Sequence, residues 1–197
     1  MTEYGDLDQT GLIEHEIGWR STRRILRLLN EGFSAGLVWD AFDNLHEHDA
    51  AWSTYGLLAT DSNSWQYTPK PRFFAAKQVF RFVRPGFVRV AVEWEKPDTK
   101  TDPYAVWRDP FRHLLVCAFV SPDRKDVSVV GMTRMEVPGV ITVRLKGLSA
   151  EGLATPIHVY QTTDKVSCQS GAPLVVKNST VTAEISPRAI FTLSTLR

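Results

Sequence analysis

No uninterrupted apolar run in this sequence approaches the roughly 20 residues needed to span a bilayer, so no membrane-crossing helix is expected. Charge of one sign is missing as well: the formal net charge is +1, which gives no electrostatic pull toward nucleic acid or an anionic surface. Basic residues interleave with aromatics from Phe73 to Arg84, and a helix with a charged outer face accounts for them. There are only two cysteines, Cys117 and Cys168. They permit one disulfide, and their spacing matches no metal or redox motif. Cys117 lies inside an apolar strand and reads as a buried, inert thiol. The chain has no GxGxxG, no P-loop and no HExxH pattern, so neither a cofactor nor a metal is expected. The first residues form no charged-then-apolar leader. If Met1 is internal to a longer protein, that says nothing of secretion.

What is present is ordinary globular material: 43% hydrophobic and 23% charged residues in a chain of 197, enough for one large or two modest domains. Its texture changes near residue 85. In the first part, Ile25, Leu28 and Leu29 fall at helical spacing while Arg23, Arg24 and Arg27 face outward. This predicts an amphipathic helix over 21–31, with Gly32 as its stop. Gly18 argues against an unbroken helix from Leu12. Gly36-Leu37-Val38-Trp39 is apolar without alternation, as in a parallel strand covered on both faces. The polar stretch from Asp40 to Tyr67 is too long for a plain connection and should carry function or small elements of its own. Pro69 and Pro71 open a second helix, whose apolar face is Phe73, Ala76, Phe80 and Val83 and which Pro85-Gly86 ends.

From Phe87 the period becomes two. Val88, Val90, Val92 and Trp94 alternate with Arg89, Ala91 and Glu93. Further strands are expected over 114–120, 127–132, 140–145, 157–160, 174–176 and 189–193, with Ser170-Gly171-Ala172-Pro173 among the turns between them. Short strands at this spacing indicate an antiparallel sandwich of about 100 residues. The expected fold is thus α/β plus all-β: a partial (β/α)8 barrel consisting of the last two βα units over 1–84, then an antiparallel β-sandwich over 85–197.

Thr2-Glu3-Tyr4-Gly5 and Gly36-Leu37-Val38-Trp39-Asp40-Ala41-Phe42-Asp43-Asn44 resemble the seventh and eighth strands of clan A glycoside hydrolases. The runs Tyr67 to Ala76 and Phe80 to Gly86 are similar to the link between barrel and side sandwich in glycoside hydrolase family 30. The ending, from Val159-Tyr160-Gln161 through Pro187-Arg188 to Leu193, fits the same pattern. The resemblance spans nearly the whole chain. It implies a retaining glycosidase in which Glu3 is the nucleophile, forming a glycosyl-enzyme ester. It also implies a saccharide substrate, a secreted parent enzyme, and remaining barrel strands upstream of Met1.

Catalytic groups in such barrels sit where strands end. The resemblance therefore places Trp39 beneath the sugar ring, with its indole face against C–H groups. Tyr4, Asp40, Asp43, Asn44, His46 and Trp52 are the other expected substrate contacts. Trp39 alone reads equally as a core residue, and Asp and Asn also simply form loops. His46 and His48 stand two apart and do not match the helical spacing of metal ligands. Trp52, Tyr55 and Trp65 either line subsites or anchor the loop. The same resemblance implies that the acid/base carboxylate lies upstream of Met1; Glu14, Glu16 and Glu31 sit on or beside a helix and are poorly placed to replace it. The isolated chain is therefore expected to be a poor enzyme. The alternative is a non-catalytic carbohydrate-binding module. Asn178-Ser179-Thr180 is a glycosylation sequon.

Overall fold

The computed structural model describes residues 4–5, 14–44, 53–93, 95, 114–148, 150–153 and 156–197. The first strand, β1 (Tyr4–Gly5), pairs in parallel with β2 (Val38–Trp39), Tyr4 opposite Val38 and Gly5 opposite Trp39. Parallel neighbours need a crossover, and α1 (Glu14–Asn30) lies between them in the chain. The helix runs unbroken through Gly18, against expectation. The reason is packing: a Cβ on Gly18 would stand 2.9 Å from the Ala75 Cβ and 3.0 Å from the Arg72 Cα, so the glycine lets a second helix approach. The buried stripe of α1 is Ile17, Ile25, Leu26 and Leu29, and Leu28 is only half-buried. Gly32 stops it as expected. At φ +97 it donates to the Leu29 carbonyl while Phe33 donates to Leu28, the paired bonds of a Schellman cap.

The expected cover on both faces of the β2 segment is not observed, since Leu37 is 66% exposed and Trp39 48%. The long connection after it does carry its own elements, a hairpin of β3 (Leu58–Thr60) and β4 (Tyr67–Pro69). Next comes α2 (Pro71–Phe80), with Pro71 in its first turn. Its buried face is not the expected one. Ala75, Ala76 and Val79 point inward together with Arg72 and Gln78, whereas Phe80 is 43% exposed. Tertiary partners override the apolar spacing here. Gln78 Nε2 donates to Thr162 Oγ1 at 2.9 Å, and its Oε1 accepts from Thr192 Oγ1 at 2.8 Å.

The rest of the chain forms strands β5 (Val88–Val90), β6 (Leu114–Val120), β7 (Val127–Thr133), β8 (Gly139–Arg144), β9 (Ile157–Thr162), β10 (Gln169–Leu174), β11 (Thr180–Ile185) and β12 (Ile190–Ser194). Six of them make one sheet in the order β10-β9-β12-β7-β6-β5, antiparallel at every pairing. The pair β11-β8 lies against it, as in a sandwich.

Alternation along β6, β7 and β12 divides the core in two. Leu115, Cys117, Phe119, Val130, Met132 and Ile190 meet Trp19, Leu26, Leu29, Ala75 and Val79 of the helices. On the opposite face, Val127, Val129, Ile157, Phe191 and Leu193 meet Val181, Ala183 and Ile185. The large sheet is thus covered on both faces, which explains why β7 and β12 are buried along their whole length.

Three strand expectations need correction. The run from Val88 does not supply a buried face: Val88 is 57% exposed, and among the described residues β5 pairs with β6 alone, at the end of the sheet. Trp94 lies outside the described residues. The supposed turn Ser170-Gly171-Ala172-Pro173 is inside β10, where an irregular register between Ser170 and Pro173 accommodates the proline. Strand β11 was not expected, although Val181, Ala183 and Ile185 alternate as buried residues. The sequon residues Asn178 and Ser179 lie at φ 49 and 54 between Lys177 and Thr180, whose backbones exchange hydrogen bonds in both directions. Asn tolerates that left-handed geometry, which two-residue hairpin turns require.

Candidate functional site

The site expected from the sequence surrounds the end of β2. Three of its residues, Glu3, His46 and Trp52, lie outside the described residues, and of Tyr4 the structure gives the backbone pairing with Val38. Trp39 ends β2 half-exposed, followed by a cis peptide bond to Asp40. The chain then doubles back on itself. Leu57 N donates to the Asp40 carbonyl at 2.9 Å, Leu58 N to Ala41 at 3.0 Å, and Asp43 N to Leu58 at 2.8 Å. Asn44 and Ser53 exchange backbone bonds of 2.8 and 2.9 Å, closing the loop. Gly56 packs against the backbone of Phe42 and Asp43 so closely that any side-chain carbon there would overlap it.

An exposed aromatic surface accompanies this loop. The Phe42 and Tyr67 rings stand 5.5 Å apart at a tilted angle, and both are largely exposed, as is Trp65. Trp65 follows a turn in which Asp61 Oδ1 accepts from the backbone of Asn63 at 2.9 Å and Ser64 at 2.8 Å. Those donors lower the Asp61 pKa. Sequence reasoning had not singled out Phe42 and Tyr67 as contacts. Their pairing depends on the fold-back that brings β4 beside the end of β2.

Asp43 is not on the loop surface. Only 4% exposed, it accepts at Oδ1 from Lys70 Nζ at 2.7 Å and from Gly56 N at 2.9 Å. The structure therefore uses this carboxylate inside the scaffold, in place of the expected surface contact. Lys70 also donates to the Thr54 carbonyl at 3.0 Å. Two residues on, Arg72 Nη2 and Nε bind the Glu14 carboxylate at 2.6 and 2.8 Å, and its Nη1 donates to Tyr55 O at 2.8 Å. Nothing in the order of residues marks either cation, because their carboxylate partners stand 27 and 58 residues away in the chain. Burial lowers the Lys70 pKa, and the Asp43 carboxylate opposes that shift.

Among the described residues no group of His, Cys, Asp and Glu is arranged to hold a metal ion, and no helix is long and apolar enough to cross a membrane. Both cysteines are free, and burial pushes the Cys117 thiol up to about 12. A concavity of about 660 Å³ lies between the start of α1 and the sandwich loops, with His15, Glu16, Asp164, Lys165 and Arg188 in its wall.

The described residues make a strand-rich chain with a parallel βαβ unit at one end and aromatics exposed at the strand terminus, a fold shared with solved glycoside hydrolases. No protein-family model and no curated protein matches the sequence. Solved structures do. A GH30 endoxylanase from Clostridium papyrosolvens aligns over 100% of this chain and 41% of its own, with TM-score 0.69 and 18% identity. The catalytic domain of GH30 xylanase C from Talaromyces cellulolyticus gives 0.70 and 20%, over 100% of this chain and 40% of that one. A family 44 xyloglucanase from Paenibacillus polymyxa gives 0.61 and 14%, over 100% and 32%. This chain thus spans about two fifths of the length of the xylanases.

Proposed function

We propose that this chain is the C-terminal part of a retaining β-glycosidase or β-glycanase, made of the last two βα units of a barrel (1–84) and a side sandwich (85–197). The observation that carries the reading is the parallel β1–α1–β2 unit, in which Leu37 and Trp39 of the β2 segment are exposed while Val38 packs against the helix core, in one chain with a sandwich that aligns with a GH30 endoxylanase. Parallel strands are normally covered on both sides. The exposure of Leu37 and Phe33 fits a barrel whose other strands would cover them.

In this reading the Glu3 carboxylate attacks the anomeric carbon and forms a glycosyl ester as the glycosidic C–O bond breaks. The departing oxygen takes its proton from a second carboxylic acid, on an upstream strand, and water later hydrolyses the ester. Trp39 supplies the platform under the sugar, with Asp40 and Asn44 beside it and Tyr4, His46 and Trp52 as further contacts. Without the acid, leaving-group protonation and its roughly 10²–10⁴-fold acceleration are lost, so the chain alone is a poor catalyst. Two of these neighbours are xylanases and one is a xyloglucanase, which supports a polysaccharide substrate.

A fluoride leaving group needs no general acid, which allows a test on the chain itself. Incubated with a 2-deoxy-2-fluoro-β-xylosyl fluoride, the protein should gain one glycosyl mass on the peptide holding Glu3, and Glu3→Gln should gain none. A label on another carboxylate, or an unlabelled protein, would overturn the nucleophile assignment. The exposed Trp39, Phe42, Trp65 and Tyr67 favour one alternative, a non-catalytic carbohydrate-binding module. That reading predicts saccharide binding with no label.

A further inference from the structure

The tetrapeptide Pro69-Lys70-Pro71-Arg72 puts two buried cations at the start of α2, where the helix's own dipole is positive and no acidic residue stands in the first turn. Lys70 occupies the N-cap position yet makes no side-chain cap; its ammonium turns to Asp43 and Thr54 instead. Each cation meets one buried carboxylate and one loop carbonyl: Lys70 meets Asp43 and Thr54 O, and Arg72 meets Glu14 and Tyr55 O. Such an arrangement is a poor stability device, because well-packed apolar groups usually do as well as a buried pair. What it does supply is direction, since both cations must reach particular carbonyls on one short segment.

That segment leads to the site. Residues 54 and 55 are held by the cations, Gly56 N is held by Asp43 while its Cα presses on Phe42–Asp43, and Leu57 N donates to the carbonyl of Asp40. We propose that Lys70 and Arg72 are positioning residues: through residues 54–57 they fix where the backbone of Asp40, and with it Trp39 beside it, stands at the end of β2. The clamp matters for binding if Trp39 and Asp40 form the sugar platform, as proposed above.

The test is the double variant Lys70→Met with Asp43→Asn. It removes both charges together and keeps an oxygen for Gly56 N–H. The clamp predicts a melting temperature close to the parent's but amide exchange at Leu57 and Leu58 at least tenfold faster, with α1 and β6 unchanged. It also predicts at least tenfold weaker binding of xylohexaose, followed by titration. If the double variant does not fold, Glu14→Gln, which keeps shape and an acceptor oxygen, should show the same local pattern more weakly. Unchanged exchange at Leu57 and Leu58 in whichever variant folds overturns the clamp. If the parent itself binds no xylohexaose, the saccharide reading falls, and the exchange measurement still decides the clamp.

Discussion

Gly18 of α1 and Ala75 of α2 touch with no room for another carbon between the helices: a Cβ on the glycine would lie 2.9 Å from that of Ala75. Helix propensity favours Gly18→Ala by about 1 kcal/mol. Overpacking against a rigid Ala75 Cβ and the Arg72 backbone costs about 1–3 kcal/mol. The net outcome is a loss of stability, with a lower melting temperature for Gly18→Ala and a lower one still for Gly18→Val. Calorimetry of the three proteins checks it, and an alanine variant more stable than the parent would show that the helices can separate freely.

Arg72→Met removes the guanidinium paired with Glu14 and strands a carboxylate in the core. Breaking one partner of a buried pair costs about 3–5 kcal/mol. The paired change Arg72→Met with Glu14→Gln should recover much of that loss. Chemical denaturation of the single and double variants measures the difference; equal midpoints for Arg72→Met and the parent would show that the pair is not buried in solution.

His15 gives a pH dependence. Both ring nitrogens are buried without a well-formed hydrogen bond, and burial lowers the pKa below the usual 6.5, outweighing the Arg188 backbone and the Asp164 and Glu16 carboxylates. The unfolded chain therefore takes up this proton at higher pH than the folded one. Stability linked to His15 is full above about pH 6.5 and declines as pH falls from there toward the folded pKa. Melting temperatures from pH 7.5 to 5.5 should fall more steeply for the parent than for His15→Gln.

The two thiols should differ in reactivity. Thiolate is the reactive form; Cys117 is fully buried with its pKa raised to about 12, whereas Cys168 is half-buried, its pKa also raised by burial. A disulfide reagent at pH 8 is expected to modify Cys168 first and slowly, and to reach Cys117 only at the rate of global unfolding. Early modification of Cys117 in the native protein would contradict its place beneath α1, where its thiol donates to the Leu26 carbonyl.

Several features of the fold were legible in order of residues because local rules govern them. Strands β6, β7, β9 and β12 follow apolar runs, and Gly32 ends α1 since only a residue at ease with positive φ fits a Schellman cap. The irregular β10 was misplaced because its proline and glycine are the usual marks of a turn. Strand β5 kept its alternation yet has no buried face, because position within a sheet is not written in a period of two.

By itself the sequence determined the antiparallel sandwich, the amphipathic α1, the aromatic end of β2 and the burial of Cys117. Only the tertiary structure decided that Asp43 faces inward to Lys70, that Arg72 reaches Glu14 across 58 residues, and that Gln78 sits in the core between Thr162 and Thr192. The reason is physical. Apolar burial is nearly non-directional and shows in periodicity, whereas a polar group is tolerated inside only where a partner, set by the whole fold, stands within hydrogen-bond reach.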